Sequence, residues 1–347
     1  MADMRHSIVP APTDKSNSPY WITLFCIGLC ILVIDFNTDS RDYADSDTYL
    51  IYLSQLVHFP QSNWYYFEAF SNFYFLFLYW FVGSVDRAIE IAHYLLGVMF
   101  LGFMILAAPP RYTPWQSLLF MSALLGSLLA FVTLRATPSY FLLAISVHYA
   151  MDRNPRTWIL LVVAAMFHAS AFLAALPLTL LYFRDALPDL LKADRPVRLF
   201  AVALAFFIAI GVLAPQISKG VMSLFESIPI LSKYVVYSVE ASASKQGTSI
   251  NHYIFFAFLA AFLLFFFIFS DARNKRLNEY LLFSFLIYIA LFAGVSPVAA
   301  VRQAPFWLMP MIPLYPWKRV GVSMITIPLF VIFCAGLFYF QFSQVYL

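Results

Sequence analysis

Apolar residues run in helix-length blocks from near one end of the chain to the other, separated by short polar stretches. The blocks at 20–36, 88–107, 115–133, 138–151, 197–217, 251–270, 277–296, 303–317 and 321–341 each read as a membrane span. About 20 apolar residues cross a bilayer, and a helix is the element that satisfies its own backbone there. Two further blocks, 64–83 and 157–182, are ambiguous. The first block follows a polar leader, 1–19, holding Arg5 and Lys15, and exits into Asn37, Thr38 and Asp39. That exit lacks a small-residue cleavage pattern, so the block reads as an anchor rather than a signal peptide.

Basic residues decide how the blocks alternate. If both ambiguous blocks crossed once, Arg153 with Arg156 and the cluster Arg273, Lys275, Arg276 would face opposite sides. Both should be cytoplasmic, where Lys and Arg accumulate. One assignment places them there together with Arg111, Arg184, Lys192, Arg195, Arg198, Lys318 and Arg319. In it, 64–83 stays on the outer side as an amphipathic or re-entrant segment, and 157–182 is two short helices that dip in and return. The turn of that excursion falls around Phe167, His168, Ala169 and Ser170. A break at membrane depth is tolerated where it is buried in protein or lines a watery cavity. The alternative is one long tilted helix.

The expected fold is an all-α integral membrane protein of about ten transmembrane helices with re-entrant or broken helices. Behind the cytoplasmic leader 1–19, residues 20–347 form a single polytopic domain with outer-side loops at 37–64 and 218–250.

Composition excludes a soluble fold. Of 347 residues, 62% are hydrophobic and 11% charged, against about 25% charged in an ordinary soluble domain. The 38 Phe, 21 Tyr and 7 Trp exceed what one aqueous core can hide. Cys26, Cys30 and Cys334 lie inside apolar runs and read as small core residues, not a disulfide framework. A net charge of +3 without a basic, aromatic-interleaved cluster argues against a nucleic-acid partner. There is no glycine-rich phosphate loop, no HExxH and no zinc-spaced cysteine pair, so no cofactor and no metal is expected.

With most bases assigned to one face, the exceptions carry information. Arg135 in LLAFVTLRATPSYF and Arg302 in GVSPVAAVRQAPFW each end an apolar helix on the outer side. An Arg at membrane depth costs roughly 2.5–3.5 kcal/mol on insertion scales and faces a cavity or partner, unless it snorkels to lipid phosphates. Two guanidinium forks on one side could grip a pyrophosphate. Pro297 and Pro305 bracket Arg302, and Pro138 follows Arg135, so both stand at helix interruptions. His168 lies inside the broken block, where a neutral imidazole could take a proton or orient a carboxylate, or simply bond a neighbouring carbonyl. Glu68, in YYFEAFSNF, is an acid in an otherwise apolar outer segment and a candidate base. Asp45, Asp47 and Tyr49 open the amphipathic run DTYLIYLSQL, which favours a helix with acid at its N-terminus. These three, with Gln303 beside Arg302, are the candidate substrate-binding residues.

The order of these features resembles the EpsG-like, Wzy-type polysaccharide polymerases of O-antigen and exopolysaccharide assembly. The resemblance rests on Asp45 and Tyr49 after the first span, Glu68 before an aromatic stretch, LRATPSYFLLAI, the basic turn DRNPR, AMFHASAF around His168, and the late VRQAPFWLMPMIPL. It runs from about Asp39 to Leu314, and its Arg135 to His168 block is the most specific part. Where family members often read R-Q-x-x-A, this chain reads Arg135, Ala136, Thr137, Pro138.

The resemblance implies a GT-C-like, metal-independent glycosyltransferase of the bacterial inner membrane. Such an enzyme joins undecaprenyl-pyrophosphate-linked oligosaccharide repeat units at the outer face. Arg135 and Arg302 would then neutralise the departing pyrophosphate, and His168, Glu68 or Asp47 would activate the acceptor hydroxyl. Membrane lipid and a chain-length regulator are the other candidate partners. The competing readings are an O-antigen ligase, an acyltransferase, and a lipid flippase or transporter, the last disfavoured by the lack of two matching hydropathy halves.

Overall fold

The computed structural model describes residues 17–43, 45–59, 68–186, 250–269, 275–294, 297–323 and 325–345, with isolated positions between 200 and 223. Residues 1–16 of the expected leader, nearly all of the block 197–217 and nearly all of 218–250, the second expected outer loop, lie outside these. Every regular element among the described residues is helical. The main helices are α1 (Ser18–Asn37), α2 (Ser46–His58), α3 (Ala69–Val82), α4 (Val85–Ala107), α5 (Trp115–Phe131) and α6 (Ala136–Met151). There follow α7 (Arg156–Phe167), α8 (Ala175–Tyr182), α9 (Ile250–Phe269), α10 (Lys275–Gly294), α11 (Pro297–Gln303), α12 (Pro305–Met311) and α13 (Ile327–Val345). Among the described residues, four segments, Ser18–Asn37, Val85–Ala107, Ile250–Phe269 and Lys275–Ala293, are long and apolar enough to cross a membrane. On α1 the exposed side is itself apolar, with Trp21, Ile22, Phe25, Leu29, Leu32 and Val33 facing outward, as lipid requires.

The chain forms two compact units. The first comprises residues 1–148, 156–171 and 309–347. Its centre is α5, apolar on all sides and buried almost throughout, as a helix hydrophobic all round must be. Helices α1, α4 and α13 pack around it. At the α1–α4 crossing, a Cβ on Gly97 would stand 2.7 Å from Ile31 Cγ2, so the close approach requires glycine. Ser117 Oγ donates to the Ile312 carbonyl at 2.7 Å and accepts from Trp317 Nε1 at 2.7 Å, tying the start of α5 to the chain before α13. Beside this core, Tyr49, Leu53 and Leu56 of α2 pack with Phe75 and Leu78 of α3, Ala88, Ile89, Ala92 and Leu96 of α4, and Leu134. The Gly83 turn, with φ 71, closes α3 and aims the chain into α4.

The second unit comprises residues 149–155 and 172–308. Phe256, Phe285, Tyr288, Phe292 and Trp307 form its aromatic core. At one end, Arg184 Nε donates to Glu279 Oε2 at 2.5 Å, Arg153 pairs with Asp185, and Arg276 donates to the Met151 carbonyl at 2.6 Å while standing 3.8 Å from Asp185.

Several expectations change here. The block 303–317 is not one continuous α-helix. It breaks at Ala304, and α12 gives way to a 3₁₀ turn at Ile312–Leu314, because Pro305, Pro310 and Pro313 interrupt the backbone ladder that hydropathy does not see. Cys334 is buried, but Cys26 and Cys30 are exposed on the outward side of α1, where apolar means lipid-facing rather than core. Much of 37–64, expected as an outer-side loop, is regular, with a 3₁₀ turn at Ser40–Asp42 leading to the expected amphipathic helix, α2. The block 157–182 is interrupted where expected: α7 ends at Phe167, His168 is non-helical, and a 3₁₀ segment, Ala169–Ala174, precedes α8.

Candidate functional site

Three of the costly polar residues meet in the first unit, around the N-terminus of α3. Glu68 is the residue before α3, and its carbonyl accepts from Asn72 N at 2.9 Å. Its carboxylate is fully buried and lies at the positive end of the helix dipole. One oxygen, Oε2, accepts from Arg135 Nη1 at 2.6 Å; the other, Oε1, faces His168 Nδ1 at 2.8 Å and Ala169 N at 3.4 Å. A carboxylate held by a guanidinium can only accept, so the neutral His168 ring carries its proton on Nδ1 and its lone pair on Nε2.

Each member is positioned by the local fold. Arg135 leads α6 and follows a turn fixed by hydroxyls: Thr137 Oγ1 donates to the Leu129 carbonyl at 2.8 Å, and Thr133 Oγ1 to the Leu128 carbonyl at 3.0 Å. The guanidinium carbon lies over the rings of Tyr52 and Tyr49, at 4.8 and 5.6 Å from their centroids. Burial works against its charge, but Glu68 and the two tyrosines outweigh that and raise its pKa above the ordinary arginine value. Burial also pushes the Tyr52 phenol up to about 12, so it remains a neutral donor, and it donates to Asn72 Oδ1.

His168 owes its place to the helix break. The terminal carbonyl of α7, on Phe167, would lack an intrahelical partner and instead accepts from Ser71 Oγ at 2.7 Å. The first turn of α3 thus contributes Glu68, Ser71 and Asn72, each tied to a different element. Arg135 and His168 keep side-chain exposures of 23% and 17%, so the Glu68 pairings are buried while the two cationic or titratable partners still touch the exterior.

The other candidates fall as follows. Tyr49 is buried on α2, one ring of the pair under Arg135. Asp45, in the left-handed region with φ 70, immediately precedes α2, and Asp47 lies in its first turn; both are exposed. Arg302 and Gln303 belong to the second unit, at the end of α11 just before the Ala304 break. Gln303 is buried and donates weakly from Nε2 to the Ser284 carbonyl at 3.4 Å, while its Oε1 has no partner among the described residues. Arg135 was expected on phosphate and Glu68 as a base; in the structure the first partner of each is the other. Sequence reasoning did not single out Ser71 or Asn72, and Tyr52 entered only as part of the run DTYLIYLSQL. The available signal was the Tyr49–Tyr52 spacing, which puts two rings on one helical face.

Chemically, the arrangement is a carboxylate that fixes the tautomer and direction of an imidazole, with a stacked arginine balancing its charge. It can take a proton at Nε2 and hold the resulting imidazolium against Glu68. Comparisons with curated proteins and with solved structures gave no match. The model of the EpsG family matches residues 19–346, from the first turn of α1 to just past α13 and so through both units, and the chain belongs to the EpsG family.

Proposed function

We propose that this chain is a membrane glycosyltransferase that polymerises lipid-diphosphate-linked oligosaccharide repeat units, with His168 as the general base. Family membership supports a membrane protein of the polysaccharide-polymerase type. The observation that carries the chemical part is the single buried carboxylate of Glu68 gripping both Arg135 and His168.

In the proposed step an acceptor sugar hydroxyl attacks the anomeric carbon of the donor glycan. Its proton passes to His168 Nε2, a new C–O bond forms, and the bond from the anomeric carbon to the undecaprenyl diphosphate breaks, leaving the electron pair on the diphosphate. Glu68 stabilises the imidazolium that forms. Arg135 keeps Glu68 ionised and supplies fixed positive charge where negative charge develops, a kind of help that is often the largest contribution to a transfer reaction. The reaction face is proposed to be the outer side of the bacterial inner membrane.

Purified protein in proteoliposomes, given lipid-diphosphate-linked repeat units, should release lipid diphosphate and build a ladder of polymer. His168→Ala should abolish the ladder while the protein stays inserted and folded. Polymer of normal length from that variant would overturn the role of His168. Transfer to a different lipid acceptor would make the chain a ligase, and translocation of the lipid without polymer would make it a transporter.

A further inference from the structure

A second feature of the first unit is a cleft of about 450 Å³, within the range of small-ligand sites. It lies between the end of α1, the 3₁₀ turn after it, and the N-terminal parts of α2 and α4. Two aromatic rings stand at it, Phe36 and Tyr94, with centroids 6.4 Å apart and exposures of 79% and 41%. Opposite charges are unequal: Asp39, Asp86 and Glu90 contribute three carboxylates, and Arg41 one cation. That cation is already committed, its Nη2 donating to Asp86 Oδ1 at 3.2 Å.

The lining selects among ligand classes. An excess of carboxylates repels phosphate and uronate. Among the described residues, no three His, Cys, Asp or Glu side chains are grouped to hold a metal ion. What remains is a ligand rich in hydroxyl or amine donors that also offers a flat apolar face to a ring, which describes a neutral or amino sugar. The cleft is also placed to serve the triad. Ser46 and Leu50 of α2 line it, while Tyr49 and Tyr52 of the same helix lie against Arg135. The two places share α2, on whose surface these pairs occupy neighbouring faces.

We propose that this cleft is an oligosaccharide subsite that takes a neutral or amine-bearing glycan; that it holds the acceptor rests on the transferase reading above. The glycan enters with carboxylates accepting from its hydroxyls and a ring of Tyr94 or Phe36 against a sugar face. Its far end reaches around α2 toward His168.

The test uses the full chain in lipid nanodiscs and a panel of free tri- to pentasaccharides that are neutral, amine-bearing or uronate-bearing, read by saturation-transfer NMR. Neutral or amine-bearing members should bind more tightly than uronates of the same length. Glu90→Lys and Tyr94→Ala, both at exposed positions, should each weaken binding about tenfold. Binding unchanged in both variants, or a preference for uronates, overturns the subsite. In the polymerisation assay, Glu90→Lys should raise KM for the acceptor with kcat nearly unchanged. A chain that binds glycan here but makes no polymer overturns the transferase reading and leaves the cleft standing. A chain that polymerises with an unchanged acceptor KM in Glu90→Lys overturns the acceptor role alone.

Discussion

Two buried carboxylates, one in each unit, are bonded to arginines at nearly the same distance, Glu68 to Arg135 at 2.6 Å and Glu279 to Arg184 at 2.5 Å. Both are almost completely shielded, at 0% and 2% exposure. The difference lies in the company they keep. Around Glu279 the charged neighbours are further arginines and Asp185, groups that keep their charge, and they fasten the ends of α6, α8 and α10. Glu68 reaches a titratable ring at a helix break and a backbone N–H that the break releases. A buried ion pair is weak evidence for anything by itself. It becomes evidence for chemistry when its acid also steers a group able to change protonation.

That contrast can be broken in order of size. His168→Ala should lower transfer by about 10²- to 10⁴-fold, the span of general acid–base catalysis, with little change in the detergent unfolding midpoint. Glu279→Ala should do the reverse: removing the buried acid of this pair costs about 3–5 kcal/mol of stability, while turnover per folded molecule stays near wild type. If Glu279→Ala instead abolished turnover with stability intact, the division between fastening and chemistry would be wrong. Glu68→Gln keeps the shape but removes the charge that holds the imidazole, and should lower kcat more than it raises KM. Tyr52→Leu removes the closer ring under Arg135 and should cost about 0.5–2 kcal/mol. A double-mutant cycle with Arg135→Met should show that coupling, and additivity would argue against it.

The members of the triad were legible because lone polar residues stand out against apolar runs, and each is costly unless it has a partner. Their pairing was not. Glu68 and His168 are 100 positions apart, and sequence alone names the costly residues without saying which meet. The interruption at His168 was readable from the bookkeeping of basic residues, a global constraint that local hydropathy lacks. At 303–317 apolar composition continues across Pro305 and Pro310, so hydropathy reads one block, while the prolines themselves mark the interruption beside Arg302. Asn72 and Tyr52 sit in amphipathic or aromatic surroundings where such residues are ordinary, and only the tertiary contact distinguishes them.

The Arg153–Asp185 contact closes a loop in the chain. The 31 positions between those residues, His168 included, depart from one place and come back to it. The stretch that carries the imidazole is thus held at its base by an ion pair, and the distance its two ends span does not depend on its length.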